Sequence, residues 1–117
     1  MTGRKGQLHQ IVVNLVQNAA DVLEGRPDGE IVISGRRQGD DVILQVADNG
    51  TGIPDQHRDK IFEPFFTTKP IGTGTGLGLY ISYNMAVKQG GSLSVENLPG
   101  GGAEFTLRIP ADARIES

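Results

Sequence analysis

The chain has 117 residues, of which 37% are apolar and 21% are charged, and this is enough for one domain with a hydrophobic core but not for two. A net charge of -3 argues against non-specific nucleic-acid binding, which requires a basic surface. The absence of cysteine excludes disulfides and thiolate metal sites, and no apolar run approaches the about 20 residues that span a bilayer.

The first half of the chain predicts a helix followed by a β-hairpin. Apolar residues recur with helical spacing, and Gly25 and Pro27 follow them as stop signals. Two β-branched segments flank a Gln-Gly-Asp turn signal and predict paired strands. The predicted elements are a helix at about 5–24, strands at 30–37 and 41–48, and a short helix at 55–61.

The second half predicts a loop, a helix and two strands. Residues 62–75 have no apolar period and contain prolines and glycines, so we expect a mobile loop. A second helix is predicted at about 76–89, ended by Gly90, and alternating segments predict strands at 92–97 and 103–110. The apolar side of this helix is expected to consist of Leu77, Tyr80, Ile81, Asn84 and Met85.

This order of elements predicts an α+β fold. Amphipathic helices and half-buried strands favour a two-layer α/β sandwich, in which the helices pack on one face of a mixed, largely antiparallel sheet. We expect a single domain over 1–117, with its core at about 5–110 and a polar tail after it.

Asp48 ends the second predicted strand, within the segment ADNGTGIP. Period two places its carboxylate on the same side as Val46, so if that side faces the helices, Asp48 lies at the mouth of the core. An ordinary hairpin turn, in which Asp bonds its own backbone, is one interpretation. Glycines on both sides of Thr51 favour the other, in which the backbone lies close against a flat ligand.

The glycine-rich segment IGTGTGLGLYIS (71–82) leads directly into the second predicted helix. Free N–H groups and the positive end of the helix dipole favour an anion there. The segment lacks the Gly-Lys-Ser/Thr end of a Walker A loop and the third glycine of a Rossmann fingerprint. A phosphate site and a merely flexible loop therefore both remain open.

Asn14 and Asn18 lie one helical turn apart, on the edge of the first helix's apolar stripe. Asn is a poor residue for a helix interior, and a single one is usually a boundary residue. Two on one edge indicate a polar feature that faces a cleft. An amide carbonyl is a suitable hard ligand for Mg²⁺ that also holds phosphates.

Five motifs occur in the order that is typical of one protein family: NLVQNAADVL, DNGTGIP, IFEPFFTTK, GTGTGLGL and GGGAEFTLRIP. They resemble the N, G1, F and G2 boxes and the glycine-led last strand of bacterial sensor histidine kinase catalytic domains, over residues about 7–110. The wider superfamily, the GHKL or Bergerat-fold ATPases, also includes type II topoisomerases and mismatch-repair MutL. The resemblance implies a Bergerat fold that binds ATP with Mg²⁺.

The resemblance assigns the base and the metal to the first two motifs. Asp48 would accept a hydrogen bond from the adenine amino group. Gly50 and Gly52 would let the loop pass beside the base, with Ile53 against it. Asn18 would be the Mg²⁺ ligand.

The resemblance assigns the phosphates to the other motifs. Asn14 would lie near the phosphates, and both Asn14 and Lys69 would take part in catalysis. Residues 62–75 would form a lid over ATP, from which Lys69 reaches the γ-phosphate. The residues implied to line the phosphates are Gly74, Thr75, Gly76, Leu77 and Gly78, and those implied to anchor the lid are Phe65 and Phe66.

Three features depart from the family pattern. Many members carry a basic and then an aromatic residue where this chain has Asp21 and Val22. The phosphoacceptor histidine of the family lies in an upstream helical hairpin, which the segment around His9 does not match. The short strand usual before the first helix is also missing, so we expect the chain to be excised from a larger kinase.

The leading interpretation is a protein histidine kinase domain of two-component signalling. It would donate the γ-phosphoryl group of Mg·ATP to a histidine on a separate dimerisation and phosphoacceptor domain, with a response regulator downstream. We expect a cytoplasmic domain, whether or not its parent is membrane-anchored, that is a monomer when isolated and part of a homodimeric parent. No nucleic-acid partner is expected.

Three alternatives are weighed against phosphotransfer. Hydrolytic members of the superfamily resemble one another in having Glu where this chain has Asn14, and an amide cannot act as a general base, so hydrolysis is disfavoured. An anti-sigma-type serine kinase is a closer competitor, although the EPFFTTK segment resembles the sensor-kinase type. A non-catalytic ATP-binding module also remains open.

Overall fold

A computed structural model of the chain describes residues 2–58, 60–63 and 78–110. The described elements are α1 (Thr2–Val22), β1 (Ile31–Gln38), β2 (Asp41–Asp48), α2 (Asp55–Arg58), α3 (Gly78–Lys88), β3 (Ser92–Asn97) and β4 (Ala103–Pro110). The strands form one sheet in the order β1-β2-β4-β3, and each described pairing is antiparallel. No helix in these ranges has the length and apolarity that a membrane span needs.

The alternation of side chains along β4 identifies the covered face of the sheet. Phe105, Leu107 and Ile109 are almost completely buried, whereas the residues between them are half-buried or exposed. They pack in one hydrophobic cluster with Ile11 and Leu15 of α1. The predicted two-layer sandwich with helices on one face of the sheet is therefore confirmed.

The predicted bounds agree best in the sheet. β2, β3 and β4 coincide with the predicted segments, and β1 is displaced by one residue. The helices differ more: α1 begins and ends earlier than predicted, α2 is shorter, and α3, described from Gly78, ends one residue earlier than predicted. Helix ends fray and carry weaker sequence signals than strand alternation does. All but the first two residues of the predicted loop at 62–75 lie outside the described residues.

The predicted apolar side of α3 is wrong in part. Tyr80 and Ile81 are 36% and 38% exposed, whereas Ser82 and Ala86 are completely buried. Met85 does pack against the core, as expected. Small side chains one turn apart let two helices approach closely, and Ser82 lies within hydrogen-bonding distance of α1. Hydrophobicity alone therefore identified only part of the buried face.

A glycine pair fixes the end of α3. Gly90 has a φ of 83°, and the N–H of Gly91 donates to the carbonyl of Ala86 at 2.9 Å, which is the glycine stop that the sequence predicts. A side chain at Gly91 would overlap the carbonyl of Arg108. The chain therefore turns from α3 directly into β3, close beside β4.

Ile61 and Phe62 anchor the segment that enters the predicted lid. Ile61 belongs to the buried core. The ring of Phe62 stacks on Tyr83 of α3 at a centroid distance of 5.3 Å and meets Phe105 edge-on at 6.2 Å. The start of the lid motif is thereby attached both to α3 and to the centre of the sheet.

Candidate functional site

A ridge along α1 connects the two regions in which the sequence predicts ligand contacts. Asn14, Asn18 and Val22 follow one another at four-residue spacing and so lie one above the next. At one end of the ridge, Asn14 contacts the first residue of α3. At the other end, Val22 lies close against Gly50 in the loop after β2. Asn18 is one helical turn from each contact.

Asn14 ties α1 to α3 with its side-chain amide. Its Nδ2 donates to the Ser82 hydroxyl at 3.0 Å and to the Gly78 carbonyl at 3.3 Å. Its Oδ1 accepts a hydrogen bond from Gln10 Nε2 at 2.9 Å. Both ends of this amide are therefore bonded within the protein, and its catalytic role stays a prediction.

Asn18 differs from Asn14 although both lie on the same ridge. It is half-buried, and the described part of the chain gives its side chain no hydrogen-bond partner. In the described ranges, no three His, Cys, Asp or Glu side chains are grouped so that they could hold a metal ion. Mg²⁺ commonly takes one or two protein oxygens together with substrate phosphates. The unbonded carbonyl of Asn18 fits that kind of site.

Asp48 lies at the mouth of the core, as the alternation of β2 predicts. The residue is 4% exposed, and its side chain lies on the same face of the sheet as that of the buried Val46. Oδ1 accepts the N–H of Gly50 at 2.9 Å, which is the local bond of the turn interpretation. Oδ2 has no hydrogen-bond partner among the described residues. The turn is therefore present, and one carboxylate oxygen is left for a donor from outside.

Neither Gly50 nor Gly52 can carry a side chain in this loop without a shift of its neighbours. A Cβ at Gly50 would lie 2.5 Å from Val22 Cγ1. A Cβ at Gly52, which has a φ of 80°, would lie 2.9 Å from Asn97 Oδ1. The glycines on both sides of Thr51 are thus required by close packing of the loop against α1 and against β3.

Two side-chain amides hold this loop to distant parts of the chain. Asn49 accepts the N–H of Glu30 at 2.7 Å and donates to the carbonyl of Asp28 at 2.8 Å. Asn97 accepts the N–H of Ile53 and donates to its carbonyl, each at 2.8 Å. Asn49 and Asn97 were not among the residues predicted from the sequence, because these bonds join positions at least 19 residues apart.

The turn between β3 and β4 also contacts the loop. Gly102 has a φ of 95°, and a side chain there would overlap the carbonyl of Asp48. The run of glycines at 100–102 was a signal for this close approach, although the sequence did not identify its partner. The base of the Asp48 loop is therefore packed against backbone on this side.

Gly78 is the first described residue of α3 and belongs to the segment in which the sequence predicts phosphate contacts. Gly78 is exposed, and its carbonyl is the acceptor for Asn14. Backbone N–H groups at a helix start lack intrahelical partners and favour an anion. The other residues predicted around the phosphates or in the lid lie outside the described residues: Phe65, Phe66, Lys69, Gly74, Thr75, Gly76 and Leu77.

The two positions that depart from the family pattern have local partners. Asp21 accepts a hydrogen bond from Gln17 Nε2 at 3.1 Å, one turn back along α1. Val22 lies against Gly50, as described above. A residue larger than Val22 at this place would press on the loop, so in this chain the loop and α1 fit each other through small side chains.

A family model matches almost the whole chain. The model describes histidine kinase-, DNA gyrase B-, and HSP90-like ATPases, and it matches residues 3–113. That range includes every motif quoted above and all residues predicted to contact ATP.

Similar curated proteins are sensor kinases. The chain is 43% identical to the two-component sensor PprA of Pseudomonas aeruginosa, over 98% of this chain. It is 39% identical to the sensor kinase CckA of Brucella abortus, over 90% of this chain. The chain spans only 13% and 12% of the lengths of these two relatives.

Solved structures with the same fold include the catalytic domain of a histidine kinase. The catalytic domain of histidine kinase ThkA matches with a TM-score of 0.80 and 36% identity, covering 91% of this chain and 67% of that one. Full-length ShkA in complex with AMPPNP matches with a TM-score of 0.77 and 35% identity, covering 90% of this chain and 21% of that one. The fold expected from the motifs is confirmed by these matches.

Proposed function

The chain belongs to the family of histidine kinase-, DNA gyrase B- and HSP90-like ATPases, and on that premise we propose that it binds Mg·ATP and donates the γ-phosphoryl group to a histidine. The acceptor is proposed to lie on a separate helical-hairpin domain of a longer kinase. The relatives PprA and CckA, named as a two-component sensor and a sensor kinase, support this class of activity. Their greater length supports the presence of further domains.

The observation that carries the proposal is the carboxylate of Asp48. It is almost buried, it is oriented by Gly50, and its second oxygen has no partner among the described residues. The exocyclic amino group of adenine supplies a hydrogen-bond donor for that oxygen, and a bond to a charged acceptor is among the stronger hydrogen bonds. The match to ShkA, solved with the adenine nucleotide analogue AMPPNP, supports the same ligand class. Gly50, Gly52 and Ile53 are proposed to lie beside the base.

Asn18 is proposed as the protein ligand of Mg²⁺, because its carbonyl has no partner among the described residues. On the α1 ridge it lies between Val22, at the end near the Asp48 loop (the base end), and Asn14, at the end near α3 (the phosphate end). Bound Mg²⁺ would neutralise charge on the phosphates that it bridges. The glycine-rich segment that leads into α3, together with Gly78, is proposed to hold the phosphates through backbone N–H groups. The contact of Lys69 with the γ-phosphate and the contacts of the glycine-rich segment 74–77 with the phosphates remain part of the proposal.

Transfer is favoured over hydrolysis by the chemistry of Asn14. An amide cannot accept the proton of an attacking water, and here both its ends are bonded to Gln10, Gly78 and Ser82. In transfer, a ring nitrogen of the acceptor histidine forms the new bond to the γ-phosphorus, and the bond to the β,γ-bridging oxygen breaks to release ADP. The domain then has only to position the donor and neutralise its charge.

The test has two stages, which separate binding from chemistry. Titration calorimetry should detect ADP and ATP binding at millimolar concentration or below, and binding of ATP should be stronger with Mg²⁺ than with EDTA. Incubation with labelled ATP and a helical-hairpin domain from a sensor kinase should give an acid-labile, base-stable phosphohistidine. Binding without transfer to a hairpin from the same open reading frame favours the non-catalytic module, and phosphoserine on an anti-sigma partner favours the serine kinase.

The wider setting is proposed from the relatives. The isolated domain is expected to be a monomer, and its parent a homodimer that passes the phosphoryl group to a response regulator. The reaction is placed in the cytoplasm, where ATP is available. Sedimentation of the isolated domain at several concentrations checks the monomer, and phosphate transfer from the parent to a purified receiver domain checks the last step.

A further inference from the structure

Asn97 makes a two-point contact with the loop that follows Asp48. It is the last residue of β3, where it pairs with Ala103 of β4. Its Oδ1 accepts the N–H of Ile53 and its Nδ2 donates to the carbonyl of the same residue, each at 2.8 Å. The two residues are 44 positions apart in the chain. One side-chain amide therefore fixes both peptide groups of Ile53.

The conformation of Gly52 is adjusted to this contact. Gly52 has a φ of 80°, and a Cβ there would lie 2.9 Å from Asn97 Oδ1 and 3.3 Å from the carbonyl oxygen of Gly102. The left-handed backbone, the missing side chain and the amide of Asn97 thus form one packed unit. Movement of Asn97 would release both Gly52 and Ile53.

The turn that carries Asn97 is itself fixed. Leu98 N–H donates to the Gly102 carbonyl at 2.9 Å, and Gly101 N–H donates to the Leu98 carbonyl at 3.0 Å. Gly102 then lies against the carbonyl of Asp48. The β3–β4 turn therefore contacts both ends of the loop. Gly102 lies against Asp48 at one end, and Asn97 bonds Ile53 at the other.

We propose that Asn97 is a positioning residue for adenine-nucleotide binding, which acts by holding Gly52 and Ile53 in the conformation that lies beside the base. This inference rests on the function proposed above. A loop that is already ordered does not lose conformational freedom when the ligand binds, and this raises affinity without any direct contact. The effect should be the same for ADP and ATP and should not depend on Mg²⁺, because it acts at the base end.

The chain offers a matched set of variants. Asn97→Ala removes both hydrogen bonds to Ile53. Asn97→Asp keeps the shape of the side chain and the acceptor but loses the donor, and its second oxygen meets the Ile53 carbonyl. Val95→Ala is the control, because Val95 lies on the same strand and packs against the core. It should destabilise the fold without touching the loop.

Affinity for ADP should be measured by calorimetry at a temperature where every variant is folded, as judged by circular dichroism. Asn97→Ala should weaken ADP binding about tenfold, equally with Mg²⁺ and with EDTA. Asn97→Asp should also weaken ADP binding. Val95→Ala should lower the melting temperature and leave ADP affinity unchanged. Amide hydrogen exchange in the nucleotide-free protein should be faster at Ile53 in both Asn97 variants than in Val95→Ala.

The outcomes separate this inference from the function on which it rests. If the wild type binds ADP and both Asn97 variants bind it within about twofold of wild type, Asn97 is only structural and the inference is wrong. If affinity falls in proportion to stability in all three variants, it is wrong as well. If the folded wild type binds no adenine nucleotide at millimolar concentration, the proposed function fails first. If Asn97→Ala does not fold, the isosteric Asn97→Asp variant decides.

Discussion

The two ends of the α1 ridge are built in different ways. At the base end, the side chains of Asn49 and Asn97 hold the loop, and Asp48 keeps a single oxygen free of partners within the described residues. Toward the proposed phosphate end, Asn18 has no partner among those residues, whereas Asn14 is tied to Gly78 and Ser82 of α3. The loop proposed to lie beside the base is therefore held in place by the fold, whereas the proposed Mg²⁺ ligand Asn18 has an oxygen that a bound ion would occupy.

This difference can be tested by measuring which nucleotide affinities each variant changes. A change at the base end should weaken ADP and ATP alike, with or without Mg²⁺. A change at the phosphate end should depend on the metal and on the number of phosphates. The predictions below follow that comparison, from the largest expected effect on nucleotide affinity to the smallest.

Asp48→Asn should weaken ADP and ATP binding by about 10- to 150-fold, because a hydrogen bond to a charged group contributes about 1.5–3 kcal/mol. The amide oxygen can still accept the N–H of Gly50, so the loop should remain folded. Its NH₂ group, however, can face the amino group of adenine. Calorimetry with both nucleotides, with Mg²⁺ and with EDTA, checks that the loss is uniform.

Asp41→Asn is the matched control for this prediction. Asp41 begins the same strand and pairs with Arg108 at 2.7 Å, at the opposite end of β2 from Asp48. It should change stability by no more than about 1 kcal/mol, as is typical of an exposed ion pair, and leave ADP affinity unchanged. Equal ADP affinity in Asp48→Asn and wild type would contradict the role of Asp48.

Asn18→Ala should weaken ATP binding about tenfold in Mg²⁺ and hardly at all in EDTA, because it removes a metal ligand and no base contact. The unbonded carbonyl of Asn18 is the reason to expect little cost to the fold. The ATP affinity of the same variant in EDTA is the internal control for its ATP affinity in Mg²⁺. A loss of the same size in EDTA would mean that Asn18 supports the fold and does not bind Mg²⁺.

The strands and the base end could be predicted from the sequence because their signals are local. Period-two alternation located β4 to the residue, and β-branched residues beside a turn signal located β2. Alternation along β2 then placed Asp48 on the side of Val46, which is buried. The glycines flanking Thr51 indicated a backbone packed against something. Part of what they pack against is protein, since Val22 and Asn97 occupy the space that side chains at Gly50 and Gly52 would take.

Contacts between distant segments were beyond the reach of the sequence. Nothing local distinguishes Asn97 at the end of a strand from an ordinary turn residue, and its partner Ile53 is 44 positions away. The side of α3 was misjudged in part for the same reason: Ser82 is buried where α3 meets α1, and its hydroxyl accepts a hydrogen bond from Asn14, which is 68 positions away. Periodicity identifies elements well, but side-chain hydrogen bonds between them follow from the assembled fold.

Lys69→Ala tests the phosphate end through the predicted lid. Lys69 is the cation of the EPFFTTK segment and is expected to reach the γ-phosphate, so its removal should weaken ATP binding about three- to tenfold and leave ADP binding nearly unchanged. Transfer to a supplied acceptor hairpin should also slow. The control is Lys88→Ala, at the far end of α3, which should alter neither affinity. Equal losses for ADP and ATP would argue against a γ-phosphate contact.

Asn14→Ala should have the smallest effect on nucleotide affinity, because both ends of this amide are already bonded within the protein. Its main effect should be on the free energy of unfolding, which should fall by about 1–3 kcal/mol because the Ser82 hydroxyl is left buried without its donor. Asn84→Ala is the control: within the described part of the chain, Asn84 bonds only the Tyr80 carbonyl of its own helix, and its removal should cost less.

The rate of ATP hydrolysis by the isolated domain is a second test of the role of Asn14. With an amide where a general base is needed, ATP turnover without an acceptor should stay near background in the wild type, and Asn14→Ala should not raise it. Transfer to an acceptor hairpin should persist in the variant at reduced rate, because α1 and the start of α3 lose the tie that sets their spacing. Brisk turnover by the wild-type domain alone would contradict the transfer mechanism. A large loss of ADP affinity in folded Asn14→Ala would instead mean that the Asn14 side chain contacts the ligand directly. It would then give up its hydrogen bonds to Gly78 and Ser82 when nucleotide binds.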